Sequence, residues 1–190
     1  MLPRMVRVFC LEGNWRPDDL ALRDSLDPLL QLLERHRLID YIRRDVATRA
    51  ELEHYLRIWG RRDYKDYEFC YLAFHGNRGR AVLLDDDGVS LEELGSLLGK
   101  YRAAKDAVVH VASCYGLRVA DQDLTEFLAQ TRAWAVSGYS KRVDTMEAAA
   151  FELLLFNALG GSWRDIGARY EWLEATYPDL CDRVGFEWAS

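Results

Sequence analysis

Two stretches of the chain decide its fold: Phe69-Cys70-Tyr71-Leu72-Ala73-Phe74-His75-Gly76 and Val108-Val109-His110-Val111-Ala112-Ser113-Cys114-Tyr115-Gly116. Each begins as a short apolar run typical of a buried strand. The first run ends at His75 and the second at Cys114. Because functional groups collect at the carboxyl ends of strands in a parallel sheet, these stretches predict an imidazole and a thiol at one sheet edge.

Further strands and helices alternate on both sides of these two stretches. Strands are predicted over residues 5–11, 38–43, 68–74, 107–113 and 133–136, and helices over about 18–36, 48–60, 90–98, 124–130 and 144–159. Pro28 predicts a kink or restart in the first helix. This alternation indicates an α/β fold, a three-layer sandwich with a mostly parallel central sheet and helices on both faces.

Local signals mark several of these boundaries. Thr48 with Glu51 and Ser90 with Glu93 have the spacing of capping boxes. Residues 80–84 and 88–91 flank Asp85-Asp86-Asp87 and predict a hairpin, since Asp-Gly is a turn dipeptide. These aspartates lack the spacing of an EF-hand, so we expect a solvated turn and no calcium site.

One domain is the simplest organisation for 190 residues with 49% hydrophobic content and no internal repeat or low-complexity segment. We expect a single domain over residues 1–190, in which residues 160–190 form a C-terminal helical tail. Within that tail, residues 162–190 predict one helix and a loose end.

The net charge and the cysteines of the sequence limit which partners, cellular location and metal sites we expect. A net charge of −6 argues against nucleic acid as the main partner. No apolar run is long enough for a membrane span, and the first residues do not resemble a secretory signal, so we expect a cytoplasmic protein with no membrane partner. The four cysteines form no C-x-x-C pair, so they predict reduced thiols and no metal site.

The four histidines differ in what they could do for Cys114. His36 and His54 fall on charged helices and should face solvent. His110 lies four residues before Cys114, about 13 Å away along a strand, and we expect a hydrogen-bonded core residue there. His75 ends a separate strand, so its imidazole can approach the thiol if the two strands are neighbours. A thiol and an imidazole are the smallest set of side chains that can form a cysteine nucleophile with its base.

The order of these motifs resembles the caspase-like superfamily (clan CD) of cysteine peptidases, and most closely its bacterial CHAT-type domains. The likeness lies in residues 73–76, 83–94, 112–116 and 133–140, followed by Val143-Asp144 and an apolar helix, and it spans about residues 5–159. It implies that His75 is the catalytic base and acid, that Cys114 is the nucleophile, and that the backbone of Gly76 and Cys114 binds the oxyanion. No cofactor is expected.

The resemblance also implies an extended peptide substrate and a P1 pocket among residues 12–16, 112–115 and 139–144. The candidate substrate-binding residues are Glu12, Arg16, Ala112, Tyr139 and Asp144. Glu12, Asp18 and Asp144 could recognise a basic P1 side chain and Arg16 an acidic one, whereas Tyr139 could form a wall. Relatives that prefer a basic P1 often carry an acidic residue at the position of Ala112, so this position indicates no P1 preference.

The function that follows is a cysteine endopeptidase that cleaves a protein or peptide substrate, under control of a regulatory protein, in bacterial defence or cell death. The alternative is a non-catalytic interaction module of the same fold, with Cys114 a buried thiol. A receiver-like domain should carry acidic residues at the ends of its first and third strands, but the third strand here ends in His75-Gly76. No glycine-rich phosphate loop is present in the sequence.

Overall fold

The computed structural model describes residues 5–16, 18–19, 24–85, 87–160 and 165–190. Its strands are β1 (Val6–Gly13), β2 (Ile39–Val46), β3 (Phe69–Ala73), β4 (His75–Asn77), β5 (Arg80–Leu83), β6 (Gly88–Val89), β7 (Val108–Ala112), β8 (Ala135–Tyr139) and β9 (Phe186–Ala189). Its helices are α1 (Asp27–Arg35), α2 (Arg49–Trp59), α3 (Leu91–Tyr101), α4 (Asp121–Thr131), α5 (Thr145–Leu159), α6 (Ile166–Thr176) and α7 (Pro178–Val184).

The central sheet has six strands in the order β2-β1-β3-β7-β8-β9. The first five strands of this order run parallel, and β9 pairs antiparallel with β8. Helices α2, α3 and α4 pack on one face, and α1, α5, α6 and α7 on the other. The predicted α/β sandwich with a mostly parallel sheet and helices on both faces is therefore confirmed.

Hydrogen bonds at the helix starts explain why these segments fold locally. Thr48 begins α2 and Ser90 begins α3, each with both bonds of a capping box. Asp144 caps α5 by accepting hydrogen bonds from Met146 and Glu147. These three predicted helix starts are confirmed.

The first helix is shorter than predicted. Residues 17 and 20–23 lie outside the described residues, and Asp18 and Asp19 are not helical. Helix α1 begins at Asp27 and carries Pro28 in its first turn. Proline fits there because a first-turn N–H has no intrahelical acceptor, so Pro28 opens this helix and does not kink it.

The C-terminal segment differs most from expectation. A single helix and a loose end are predicted, but the structure has α6, α7 and then β9, which joins the central sheet beside β8. The strand was missed because Phe186-Glu187-Trp188-Ala189 is too short to show a clear period. β9 forms because its backbone pairs with the edge of β8, and a contact between such distant segments leaves no pattern in the local sequence.

The predicted hairpin is present and has one more strand. β5 pairs antiparallel with β6, and β4 pairs antiparallel with β5 to make a small second sheet. His75 thus begins β4 directly after β3. Among the helices of the described residues, none is long and apolar enough to cross a membrane.

Candidate active site

The two stretches that open the sequence analysis lie on adjacent strands in register. β3 pairs in parallel with β7, and Ala73 is opposite Ala112. His75 and Cys114 each lie two residues beyond that pair. Neighbouring strands are about 4.8 Å apart, so the sheet delivers both residues to one edge, as the sequence predicts.

Gly76 and Cys114 are in direct backbone contact. A Cβ added at Gly76 would lie 2.3 Å from the carbonyl oxygen of Cys114 and 3.0 Å from the side chain of Ser113. Real Cβ atoms do not approach a carbonyl this closely, so the position accepts only glycine without a shift. The glycine therefore keeps the His75 segment against the Cys114 segment.

The imidazole of His75 is oriented by Trp15. His75 Nε2 lies 2.8 Å from the carbonyl oxygen of Trp15. A carbonyl oxygen can only accept, so Nε2 carries the proton and Nδ1 is the basic nitrogen. The indole and imidazole also meet edge to face, with ring centroids 5.1 Å apart. The imidazole itself is exposed to solvent.

Trp15 is in turn held by the buried carboxylate of Glu12. Glu12 is 1% exposed and accepts a hydrogen bond of 2.6 Å from the indole N–H of Trp15. It also accepts from the hydroxyl of Ser25 at 3.1 Å, the backbone N–H of Leu26 at 2.7 Å and the guanidinium of Arg43. The carboxylate is thus engaged in positioning this loop, and it is not open to a substrate in this structure.

Cys114 is only partly buried, unlike the other three cysteines. The backbone N–H of Val143 points at its sulfur, with N and Sγ 3.4 Å apart. The thiol in turn lies 3.8 Å from the carbonyl oxygen of Val143, to which it can donate. In the described part of the chain, the backbone N–H of Cys114 has no hydrogen-bond acceptor, which leaves it available to a ligand oxygen.

The imidazole and the thiol have separate hydrogen-bond partners. His75 bonds to Trp15 and Cys114 to Val143, and within residues 24–85 and 87–160 no hydrogen bond joins the imidazole to the sulfur. Catalytic contacts in unliganded enzymes are often long and tighten when substrate binds.

Tyr115 follows Cys114 in a left-handed conformation, with φ of 60°. This region is rare for a residue other than glycine and costs of order 1–3 kcal/mol. Two backbone hydrogen bonds stabilise this conformation. The N–H of Tyr115 donates to the carbonyl of Lys141 at 3.0 Å, and the N–H of Gly116 donates to the carbonyl of Ser113 at 3.1 Å. The chain thus turns sharply directly after the sulfur.

The other predicted substrate-binding residues lie around this edge in different environments. Arg16 pairs with Asp24 at 3.1 Å. Ala112 is buried at the end of β7, and Asp144 is an exposed helix cap. Tyr139 is 2% exposed and lies in the core, so its ring does not face an open pocket. Asp18 is exposed, close to the undescribed residues.

Tyr139 belongs to a buried polar network with His110. His110 is fully buried; Nδ1 lies 2.9 Å from the hydroxyl of Ser137 and Nε2 lies 3.2 Å from Glu152. The hydroxyl of Tyr139 donates to the same carboxylate at 2.5 Å. Burial, with the charge of Glu152 second, raises the pKa of Tyr139. The prediction of a hydrogen-bonded core histidine is confirmed.

The remaining histidines and thiols also agree with expectation. His36 and His54 are exposed. Cys10 and Cys70 are fully buried in strands, and burial raises the pKa of both thiols.

Among the described residues, no group of three or more His, Cys, Asp or Glu side chains could hold a metal ion.

Two cavities flank the site. One of about 240 Å³ is lined by the end of β1, by Trp15 and Asp24, and by Arg43 and Asp45 of β2. The other, of about 200 Å³, is lined by residues around Tyr115 and by α3 and α4. Trp15, which contacts His75, lines the first cavity, and Tyr115, which follows Cys114, lines the second.

Sequence reasoning missed the positioning roles of Trp15 and Val143. Both act through backbone atoms, whose donors and acceptors are the same for every residue type, so no side-chain pattern could reveal them. The indole of Trp15 gave the one available signal, since a tryptophan in a loop next to a predicted site is a candidate for a contact.

Comparison with known families matches residues 5–188 to a family of unknown function, DUF6642. The match covers nearly the whole chain, and the chain belongs to this family. A comparison with curated proteins gives no match. The family carries no assigned activity, so the function has to be argued from the geometry of the site.

Proposed function

We propose that this protein is a cysteine endopeptidase of the caspase-like type, with Cys114 as nucleophile and His75 as its base and acid. The contact between Gly76 and the carbonyl of Cys114 is the observation that carries the proposal. It fixes the histidine segment against the cysteine segment at the carboxyl edge of the sheet, where functional groups of parallel α/β folds gather.

The first step forms a bond between Sγ and the substrate carbonyl carbon. His75 accepts the thiol proton on Nδ1, because Nε2 already donates to Trp15. The imidazole must move or rotate toward the sulfur on substrate binding, since the two groups have separate partners in this structure. The thiolate then attacks, and the carbonyl electron pair moves onto oxygen.

The tetrahedral oxyanion is stabilised by the backbone N–H groups of Gly76 and Cys114. His75 then gives its proton to the leaving amine as the peptide C–N bond breaks, and an acyl-enzyme thioester remains. Water attacks the thioester with His75 again as base, which releases the carboxylate and restores the thiol. These steps use only the side chains and backbone of this chain.

The substrate in this proposal is an extended segment of another protein, with its P1 side chain among residues 12–16, 112–115 and 139–144. Glu12, Arg16 and Asp144 have internal partners and Tyr139 is buried, so recognition by their side chains requires a rearrangement. A cytoplasmic location, a regulatory protein partner and a role in bacterial defence or cell death belong to the same proposal.

Replacement of Cys114 tests the proposal. The wild-type protein and the Cys114→Ala and His75→Ala variants are incubated with a proteome-derived peptide library, and new termini are identified by mass spectrometry. We expect cleavage by the wild type and none by either variant, with unchanged circular dichroism and melting temperature. Cys181→Ala is the matched control and should cleave normally. Cleavage by Cys114→Ala at the wild-type rate would show that the assignment is wrong.

A non-catalytic interaction module is the second candidate. It is favoured by the separate partners of the imidazole and the thiol. In that case, wild-type protein yields no new termini, and a peptide electrophile labels Cys114 no faster than a small electrophile of equal reactivity does. Faster labelling by the peptide electrophile supports the peptidase.

A further inference from the structure

Two arginines stack on one aromatic ring beside Cys114. The guanidinium carbons of Arg78 and Arg118 each lie 5.8 Å from the centre of the Tyr115 ring. Arg78 is in the turn between β4 and β5, and Arg118 lies between β7 and α4. Both side chains are exposed. Residues distant in sequence thus converge on the tyrosine that follows the proposed nucleophile.

These two guanidinium groups have no carboxylate partner among the described residues. Arg80, two residues from Arg78, differs because it pairs with Glu93 at 2.9 Å. What sets Arg78 and Arg118 apart from other exposed arginines is that both lie against the ring of the residue that follows the proposed nucleophile. Their N–H donors are available to an external anion.

Contact with the Tyr115 ring restricts the conformations of the two arginine side chains before a ligand binds. Stacking on an aromatic face restricts a guanidinium while its N–H groups stay free at the edge, and those groups match a carboxylate in a two-pronged geometry. Tyr115 is fixed by its left-handed backbone and its bond to Lys141. The group defined by Arg78, Tyr115 and Arg118 is called the arginine cluster below.

The arginine cluster borders one of the two cavities near Cys114. Tyr115 and Arg118 line the cavity of about 200 Å³ whose far walls come from α3 and α4. The α3 and α4 walls of this cavity carry three carboxylates: Glu92, Asp123, which accepts from the N–H of Ala120 at 2.9 Å, and Glu126, which accepts from Gln122 at 2.8 Å. The cationic donors for an incoming anion therefore lie at the cluster and not at these helical walls.

We propose that the arginine cluster binds an acidic side chain of the protein substrate, on the α3 and α4 side of the scissile bond. This inference rests on the proposed peptidase function, and it adds the substrate class: a protein segment that carries Asp or Glu next to the bond that is cut.

Binding to the Cys114→Ala variant tests the cluster without any chemistry. The probes are capped octapeptides of alanine and glycine with two adjacent central residues, either Glu-Glu, Gln-Gln or Lys-Lys. Binding is followed by NMR through the arginine Nε–Hε signals and the ring signals of Tyr115. Arg78→Gln, Arg118→Gln and the double variant are compared with Arg35→Gln, which removes an exposed arginine from α1.

We expect the Glu-Glu peptide to shift the signals of Arg78, Arg118 and Tyr115 saturably, and the Lys-Lys peptide to leave them unchanged. Each single variant should raise the Kd by about threefold and the double variant by about tenfold, as for exposed ion pairs. Arg35→Gln should bind like the parent, and the backbone amide spectra of all variants should show an intact fold.

Three results would overturn the inference: no saturable shift by the Glu-Glu peptide, equal binding of all three peptides, or equal affinity in the double variant. Tighter binding of an oligothymidylate at the same signals would assign the cluster to nucleic acid instead. If the Glu-Glu peptide binds at the cluster but the wild type cleaves nothing, the peptidase proposal fails and the acidic-ligand site stands. If cleavage occurs without this binding, only the acidic-ligand site fails.

Discussion

The carbonyl oxygen of Trp15 and the Nε2 atom of His75, 60 residues apart in sequence, are joined by a hydrogen bond of 2.8 Å. This bond selects the tautomer of the imidazole and leaves Nδ1 as the basic nitrogen. The order of β1 and β3 in the sheet makes it possible, since these strands are neighbours and both end at this edge. In the proposed mechanism, this backbone atom takes the orienting role that a carboxylate has in the Ser-His-Asp triad.

Replacement of Trp15 should affect catalysis more than stability. Trp15→Ala removes the edge contact to His75 and the bond to Glu12, and we expect kcat/KM to fall by about tenfold, the order of an aromatic pair. Trp15→Phe keeps the edge contact and should retain more activity than Trp15→Ala. Equal kcat/KM and an equal pH profile for both variants and the wild type would show that the indole does not position His75.

Gly76→Ala should damage the site through a steric clash. The new Cβ would lie 2.3 Å from the carbonyl oxygen of Cys114, so one of the two segments must shift. We expect a loss of about 1–3 kcal/mol in the free energy of unfolding, measured in urea, and loss of cleavage. Gly160→Ala is the control, because the one described atom that its Cβ would meet is a carbonyl oxygen at 3.7 Å. Full activity of Gly76→Ala would contradict the close approach.

Glu12→Ala should be the most destabilising of these substitutions. It leaves the indole N–H of Trp15, the N–H of Leu26 and the guanidinium of Arg43 without their acceptor. A buried donor that is left without its acceptor costs about 1–3 kcal/mol, and urea unfolding at neutral pH can measure the combined loss. Arg43 keeps its bond to Asp45 at 2.6 Å. Glu171→Ala, an exposed position on α6, should change the free energy of unfolding by less than about 0.5 kcal/mol. A similar small effect for Glu12→Ala would mean that its contacts do not stabilise the fold.

Iodoacetamide should react at Cys114 before the other thiols. Cys10 and Cys70 are fully buried and burial raises their pKa, while burial and the charge of Glu174 raise the pKa of Cys181 to about 11. At pH 8 the thiolate fraction of Cys181 is then about one in a thousand. Peptide mapping after a short exposure should find label at Cys114 alone. Label at Cys10, Cys70 or Cys181 before Cys114, or at all four cysteines at the same rate, would contradict the preferred reactivity of Cys114.

Alkaline pH should destabilise the fold. Burial raises the pKa of Cys10, Cys70, Tyr71, Tyr139 and Tyr170 above their ordinary values. The unfolded chain therefore loses these protons first as pH rises, and it binds fewer protons than the native state above about pH 8.5. The stabilisation is complete below that pH and falls above it, by about 1.4 kcal/mol per pH unit for each group that has ionised in the unfolded chain.

Urea unfolding at pH 8, 9 and 10 measures this fall. In Cys70→Ala, one titrating group is absent, so the free energy of unfolding should be lower at pH 8 but should fall less steeply toward pH 10. A free energy of unfolding that stays constant from pH 8 to pH 10 in the wild type would contradict the protonated burial of these groups.

Local signals made much of the fold predictable. The capping boxes at Thr48 and Ser90 and the cap at Asp144 depend on side chains within three residues, so the sequence shows them directly. The burial of His110 followed from its place in a β-branched apolar run. The position of His75 and Cys114 at one edge followed from the rule that parallel strands share a carboxyl end.

Features that depend on distant partners could not be predicted. β9 forms because the edge of β8 offers backbone groups to pair with, and β4 continues the chain after β3 without an apolar pattern. The sequence predicts that Glu12 is a loop residue, but in the structure it accepts from four donors: Trp15 after β1, Ser25 and Leu26 just before α1, and Arg43 of β2. The arginine cluster likewise requires the hairpin turn to reach Tyr115, a contact between residues 37 positions apart.

The pairing of β9 with the sheet has a mechanical consequence for the sulfur of Cys114. Ser140 N–H donates to the carbonyl of Gly185 at 2.7 Å, and the ammonium of Lys141 bonds to Asp182. Val143, which donates to the sulfur, is only three residues past Ser140. If a bound protein displaces the segment from Asp182 to Gly185, the displacement should therefore pass through Ser140 and Lys141 to Val143, and so to the surroundings of the thiol.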